Sequence, residues 1–309
     1  MTSSNPTGCR LSVVVVAYDM DREIRRTLHS LATPYQRGIG PEDYEVIVVD
    51  NGSPEPIDAA VLLGFPGRLR SVRIDPAPPS PAHAANVGIA CAAAPLVGLL
   101  IDGARIASPG LLGRALRARG VARRPVIATL GWHLGSQLHM QAGASGYDQG
   151  VEDRLLEDVG WLEDGYRLFD VSTLAASSRR GYFGPLGESN AVFLAREMWS
   201  ELGGLDERFV LPGGGRVNHD LFRRACELDE AELVVLLGEG TFHQIHGGAF
   251  TSGGGDRAAA DAEYRRLRGR PFAVPDRPAL YLGSVPPQLA PVLAHSVRWL
   301  ERQSSRDRS

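Results

Sequence analysis

The segment LSVVVVAY, residues 11–18, is an apolar run dominated by β-branched residues and broken only by Ser12. Such a run has no polar face to offer water, so it reads as a strand covered on both sides, as in a parallel sheet between two helical layers. The next residues, MDREIRRTLHSL, place Ile24, Leu28 and Leu31 on one helical stripe. The same strand-then-helix unit recurs: YEVIVVD (44–50), LRSVRID (69–75), APLVGLLID (94–102) and PVIATL (125–130) all read as strands. Ser80 before Pro81 and Ser108 before Pro109 mark helix starts, and the second of these helices closes at Gly120. The alternation predicts an α/β fold, a mostly parallel sheet with helices on both faces.

Beyond residue 130 the period fails. GWHLGSQLHMQAGASGYDQG scatters Gly, His and Gln among aromatics, as either an irregular binding segment or a mobile linker does; a helix around VEDRLLEDVGWL and a strand at YRLFDVS follow. SNAVF then reads as a strand and AREMWSEL as a helix with a Gly-Gly exit, before a helix at NHDLFRRACEL and a strand at AELVVLL. PGGG (212–215) reads as a flexible loop able to close over a ligand, RRLRGR (265–270) as a solvated helix end, and QLAPVLAHSVRWLERQ as a terminal amphipathic helix interrupted early by Pro291. There is no internal repeat and no clear linker. The expected organisation is a ligand-binding half at 1–130, an acceptor-side catalytic half at 131–250 and a C-terminal helical extension at 251–309.

Composition removes several classes of function. At 309 residues and 43% hydrophobic, the chain can bury a large core. A net charge of -3 gives no electrostatic reason to expect nucleic acid as a partner. All 33 basic residues are arginine, so a phosphate-cradling GxxxxGK[ST] loop and a lysine Schiff base are both excluded. Cys9, Cys91 and Cys226 are odd in number and far apart, which fits a reducing compartment rather than a disulfide framework. The longest apolar run, 87–101, is broken by Gly88, Pro95 and Gly98 and falls short of the roughly 18–20 residues that span a bilayer. With no charged leader followed by an apolar stretch, the chain is expected to be soluble and cytoplasmic, without a transmembrane segment.

In open sheets of this type ligands bind beyond the carboxyl ends of the strands. Those ends carry Tyr18 and Asp19, then Asp50, Asn51 and Ser53, then Asp102. Each alone is an ordinary turn residue, but acidic residues at three strand ends suggest a polar ligand. The order of VVVVAYDMDREIRRTLHSL, VIVVDNGSPEP, PAHAANVGIACAAAPLVGLLIDGA, ESNAVFLAREMWSELGGLDERF, GGGRVNHDLFRRA and TFHQIHGG resembles the family 2 glycosyltransferases, enzymes of GT-A fold, over residues 11 to about 250.

That resemblance implies an inverting glycosyltransferase with a nucleotide-sugar donor (UDP-, GDP- or dTDP-linked), a glycan or small-molecule acceptor, and a role in polysaccharide or glycoconjugate synthesis. By it, Ala17, Tyr18, Asp50, Asn51, Ser53, Asn86 and Asp102 fall at nucleotide-binding positions, and the family's arginine beside Asn86 is replaced by Ala85. Asp102 matches the first aspartate of the family's Asp-X-Asp motif, with Ala104 in the second aspartate's place. A divalent cation, Mn2+ or Mg2+, would then draw on Asp102 and one imidazole, His246 or His243. Two residues three apart on a strand face opposite sides, so only one is expected to reach, with His246 favoured beside Gly247 and Gly248. Arg105 is an alternative cation. Asp220, at the start of NHDLFRRA, matches the catalytic base, with Glu188 as the second choice. Trp132 and His133 follow the fifth strand and are expected at the sugar or acceptor, whereas Trp161 and Trp199 are expected to pack.

The alternative, encouraged by Ala85 and Ala104, is a non-catalytic nucleotide-sugar or glycan-binding module. A dinucleotide oxidoreductase would need GxGxxG after the first strand, where this chain has AYDMDRE. The terminal amphipathic helix offers a face that could pack against a second copy in a homo-oligomer.

Overall fold

The computed structural model describes residues 8–139, 146–247 and 256–306. The first half alternates as the hydrophobic pattern requires: β1 (Leu11–Ala17), α1 (Asp21–Leu31), β2 (Tyr44–Asp50), α2 (Ala59–Leu63), β3 (Arg68–Arg73), α3 (Ala82–Cys91) and β4 (Leu96–Leu100). A short β5 (Arg105–Ala107) and α4 (Leu111–Ala118) lead into the long β6 (Arg124–Leu134). The second half holds α5 (Gln149–Val159), β7 (Ser172–Leu174), β8 (Val192–Ala195), α6 (Arg196–Leu202), α7 (Val217–Glu227) and β9 (Ala231–His243). The chain continues through α8 (Arg257–Arg268), β10 (Ala279–Gly283) and α9 (Ala290–Arg306). Among the described residues no helix is long and apolar enough to cross a membrane.

One sheet collects the strands in the order β10-β9-β6-β8-β4-β1-β2-β3, with β5 on β9 and β7 on β6. β1, β2 and β4 are buried along their whole length, as their mostly apolar runs demand, and the buried Ser12 of β1 donates to Glu45 of β2 at 2.6 Å. β4, β1, β2 and β3 run parallel; β8 enters antiparallel between β4 and β6, and β9 and β10 are again parallel to β6. The sheet is therefore mixed but mostly parallel, and α/β.

α3 lies tightly on the sheet because Gly88 has no side chain: a Cβ there would stand 2.3 Å from Val14 Cγ1 and 3.0 Å from Val49 Cγ2. On the other side of the molecule the buried carboxylate of Glu239, on β9, joins three segments. It accepts from Ser108 Oγ at 2.5 Å, from Gly110 N at 3.1 Å and from the Tyr166 hydroxyl at 2.9 Å, with Arg114 Nε at 2.6 Å.

Several local expectations change in three dimensions. Ser108 does not cap α4, because its hydroxyl is committed to Glu239 and Gly110 occupies the cap position. YRLFDVS is a 3-10 turn, Gly165–Val171, followed by β7, and β6 extends past residue 130 to Leu134. Pro291 falls in the first turn of α9, where its missing N–H has no intrahelical partner to lose, so the helix is not interrupted. The C-terminal segment is not purely helical: β10 extends the sheet edge beside β9. PGGG is a turn packed against Pro79 and Pro81, and Gly214 is buried. Arg268, in the supposedly solvated RRLRGR, is bound to Asp206 and Asp220.

Removing one member of a buried ionic cluster strands its partners, so Glu239→Ala should lower the unfolding free energy by on the order of 3 kcal/mol in urea denaturation. A change within about 0.5 kcal/mol of the unmutated chain, the scatter of neutral surface substitutions, would show that the cluster holds nothing together.

Candidate active site

The carboxyl ends of β1 and β2 form one hydrogen-bonded unit. Ser53 closes on Asp50 Oδ1 through both its N–H (2.9 Å) and its hydroxyl (2.6 Å), and the same hydroxyl accepts from Asp19 N at 2.9 Å. Arg73 Nη1 takes the other Asp50 oxygen at 2.6 Å. Asp50 thus spends its lone pairs on organising the loop rather than waiting for a base. The open acceptor is beside it: Asn51 donates to Pro78 O at 3.1 Å, while its buried Oδ1 has no partner among the described residues. Ala17 is buried and Tyr18 is half exposed at the same edge. Asn86 lies apart, its amide bracing the loop after α6 through Leu205 N, Leu205 O and Glu207 Oε1 at 2.8–2.9 Å.

Asp102 follows β4 and stands at the centre of the second unit. Gly103 lets this turn lie against β1, since a Cβ there would be 3.0 Å from both Ala17 Cβ and Val16 O. Thr27, on α1, anchors the turn by donating to Gly103 O at 2.6 Å. Ala104 brings no carboxylate, but its N–H donates to Asp102 Oδ1 at 3.0 Å. His243 Nε2 lies 2.8 Å from Asp102 Oδ2, His246 Nε2 3.8 Å from Oδ1, and Arg105 Nη2 3.5 Å from Oδ2. Both histidines therefore reach, and His243 is the closer.

The expectation that only one could reach assumed a continuous strand. β9 ends at His243, and the chain then leaves the strand: Gln244 N still donates to Ala104 O at 2.9 Å, but Ile245 N is drawn to Glu152 Oε2 at 2.7 Å. The two imidazole Nε2 atoms end 3.1 Å apart. Asp102, His243 and His246 can each direct one ligand atom into a common space, within 4.8 Å of one another.

Burial alone would raise the Asp102 carboxyl, but His243, His246 and Arg105 outweigh it and hold it well below the usual carboxylate range. Burial lowers His243 to about 3, His139 to about 4 and His133 to about 2, so these imidazoles are neutral at physiological pH. Glu152 is the reverse case: burial pushes it up to about 7 against the pull of the Ile245 N–H, Arg22 and Arg26.

The two candidate bases sit on opposite sides of α7. At about 100° per residue, positions 218 and 220 are about 200° apart on the helix. Asn218 and His219 face Glu188, at 2.8 Å from Asn218 Nδ2 and 3.4 Å from His219 Nδ1. Burial raises the Glu188 carboxyl, yet His219, Asn218 and Arg105 together bring it below its ordinary value. Arg105 thus feels both Asp102 and Glu188. Asp220 points the other way and is 1% exposed, held by Arg268 Nε at 2.5 Å and Nη2 at 2.7 Å and by Arg224 Nε at 2.8 Å. With both of its oxygens taken by guanidinium groups, Asp220 has none turned toward an acceptor hydroxyl, and the geometry favours Glu188 over it. The cleft of about 450 Å3 on this side is lined by Asn86, Asp206, Arg208, Arg224 and Arg268 and includes neither Asp102 nor Glu188.

Trp132 is core, not a sugar platform: it is 2% exposed and packs edge-on against Phe169. The strand alternates, so the neighbouring His133 faces the site, but it meets His139 and His243 there. Trp161 and Trp199 are buried, as expected. Glu152 carries no signal in the sequence, because its role depends on a segment distant along the chain, and nothing in VEDRLLEDV marks the one glutamate that turns inward. Gly248, expected to assist His246, lies outside the described residues.

Acid stability should register the neutral imidazoles. The His139 pKa falls from 6.5 to about 4 on folding, so the unfolded chain takes the proton first, and its contribution is lost as pH drops from about 6.5 to 4. His139→Gln should flatten the fall of unfolding free energy across that window by about 1.4 kcal/mol per pH unit, read from urea melts at successive pH values. An unchanged slope would mean that the ring is protonated in the folded chain.

Against known proteins, a sequence model described as glycosyl transferase family 2 matches residues 12–103, the segment that carries the Asp50 and Asp102 strand ends. No curated protein sequence matches. Among solved structures, S. aureus TarS is similar at a TM-score of 0.53 and 12% identity, over 86% of this chain and 44% of that one. The chain thus spans less than half of that protein. TarS 1-349 in complex with UDP-GlcNAc gives a TM-score of 0.52 at 14% identity, covering 84% and 71%. The mannosyltransferase PcManGT from Pyrobaculum calidifontis, solved with GDP-Man and Mn2+, gives 0.50 at 15% identity, covering 96% and 71%. Residues 12–103 thus match the glycosyl transferase family 2 model, and over most of its length the chain has the GT-A fold.

Proposed function

We propose that the chain is an inverting glycosyltransferase that moves a sugar from a nucleotide diphosphate donor to an acceptor hydroxyl, with Glu188 as the general base. The observation that carries this reading is the arrangement around Arg105: a permanently charged guanidinium beside a strand-end carboxylate that carries two imidazoles, and close enough to a second, separately supported carboxylate to help hold it below its ordinary value. The match of residues 12–103 to the glycosyl transferase family 2 model supports it, as do the UDP-GlcNAc and the GDP-Man with Mn2+ in the similar structures.

The residues present suit a hard divalent cation, Mn2+ or Mg2+, even with Ala104 in the second acidic position. Asp102 offers a carboxylate and His246 an imidazole, and a diphosphate would supply the remaining oxygens. Bound there, such an ion would offset the negative charge that develops on the leaving diphosphate. The chain's own groups do the rest. The Ala104 N–H and His243 orient the Asp102 carboxylate. Arg105 has buried Nε and Nη1 donors with no partner among the described residues, groups suited to phosphate oxygens. Asn51 Oδ1 is suited to an N–H of the base or a ribose hydroxyl. Glu188, ionised and steadied by Asn218 and His219, takes the acceptor's proton as its oxygen bonds to the anomeric carbon and the bond to the diphosphate breaks.

The rival reading, a nucleotide-sugar or glycan-binding module without turnover, draws on Ala85 and Ala104. Thermal stabilisation by UDP, GDP or dTDP, with and without Mn2+ or Mg2+, identifies the donor class, and a shift requiring metal supports the Asp102 centre. Glu188→Gln should then lower kcat by about 10²–10⁴-fold while nucleotide affinity stays within about twofold, the pattern expected of a base. Asp220→Asn should instead cost on the order of 3 kcal/mol of stability and leave kcat of the folded fraction nearly intact. Nucleotide binding without turnover on any acceptor would favour the module, and a kcat loss in Asp220→Asn alone would return the base to that residue.

A further inference from the structure

We propose that His133, His139 and His243 form a second, buried site for a divalent transition-metal ion of the zinc type, distinct from the cation centre at Asp102. The inference touches the functional reading only through His243, which belongs to both groups.

Each of the three residues can direct one nitrogen to within 4.8 Å of the other two. The rings surround a common point, with centroids 4.6 Å apart for His133 and His139, 5.3 Å for His133 and His243, and 5.2 Å for His139 and His243. Two of the tautomers are set by their partners. His139 Nε2 lies 2.9 Å from Leu134 O, a group that can only accept, so that nitrogen carries the proton and Nδ1 carries the lone pair. His243 Nε2 lies 2.8 Å from the Asp102 carboxylate and donates to it, which leaves its Nδ1 as a lone pair too. Both Nδ1 atoms are buried without a partner among the described residues, in side chains 1% and 5% exposed. Two unpaired buried acceptors, on rings whose centroids are 5.2 Å apart, are costly unless something binds them.

A metal-bound histidine typically donates its other N–H to a carbonyl or a carboxylate, and Leu134 O and Asp102 already hold those places. Tetrahedral coordination at about 2.0–2.1 Å separates ligand nitrogens by about 3.4 Å, so nitrogens now within 4.8 Å of one another would close by up to about 1.4 Å on binding. Three imidazoles without a carboxylate select zinc-like ions over Mn2+ or Mg2+, which prefer oxygen. The two centres are therefore chemically distinct. An ion on His243 Nδ1 strengthens the Nε2–H bond to Asp102 and pins that carboxylate where the family's second aspartate is replaced by Ala104. His139 and His133 are on this reading positioning residues.

The test is a titration of chelator-treated protein with Co2+, a spectroscopic stand-in for zinc, under excess Mg2+, with bound metal counted by mass spectrometry. The unmutated chain and His246→Asn should both develop the intense visible bands of tetrahedral Co2+ with one ion retained, and Zn2+ should erase those bands. His139→Gln and His133→Asn should lose the bands, while Asp102→Asn should keep them at an affinity lowered about 10–100-fold, as loss of an orienting carboxylate predicts. Circular dichroism checks each fold, and if His139→Gln does not fold, the half-buried His133→Asn decides. Absence of tetrahedral bands in the folded, unmutated chain overturns the site, as does their survival in His139→Gln or His133→Asn. Bands lost only in His246→Asn would place the ion at Asp102 and also overturn it. None of these outcomes alters whether a nucleotide with Mn2+ stabilises the protein, so failure here is separable from failure of the functional reading.

Discussion

A largely buried carboxylate at the end of β4 has to be compensated, and much of this structure is arranged around that requirement. Asp102 retains only 19% of its side-chain exposure, and a charge so placed is unfavourable unless matched within a few ångströms. Its partners come from three directions: Arg105 from the strand just after it, His243 from the end of β9, and His246 from the turn beyond. That meeting depends on β9 running parallel to β6 and pairing antiparallel with β5, with Arg105 opposite His243. Without that register, Asp102 would be an ordinary polar turn.

The clamp at the end of β9 has its own support. Glu152 on α5 receives the Ile245 N–H, while Arg22 on α1 binds both Glu152 and Ile245 O. Gln244 donates to Glu23 O from the same turn. A helix from the first βα unit and a helix from the irregular middle thus hold the histidine turn together. The acidic group that does this stays accessible to protonation near neutrality, a property of its burial rather than of its residue type.

Two departures from the family pattern are absorbed locally. Where Ala104 takes the second acidic position, the backbone N–H of that residue still orients Asp102 and the imidazoles supply donors. With Ala85 beside it, Asn86 is a bracket for the loop at Leu205–Glu207, and Asp220, Arg224 and Arg268 form an ion cluster next to that loop. α7 divides these roles: one face braces Glu188 and the opposite face closes the cluster.

The repeated βα units, the full burial of β1, β2 and β4, and the polar strand ends at Asp50 and Asp102 were legible in the sequence because each depends on periodicity over a few neighbouring residues. So was the gathering of candidates near Asp102, through resemblance. The convergence of His243 with His246 was not, since it turns on where β9 stops and on a carboxylate from α5. The choice between Glu188 and Asp220 was not legible either, because both are acidic residues in suitable surroundings, and only the packing of α7 shows which is engaged by arginines. Trp132 and His133 make the same point within two adjacent residues: strand alternation sends one into the core and the other to the site, and only the sheet decides which. Local pattern determines elements, whereas contacts between residues a hundred or more positions apart determine charge, tautomer and exposure, and those are decided by tertiary structure.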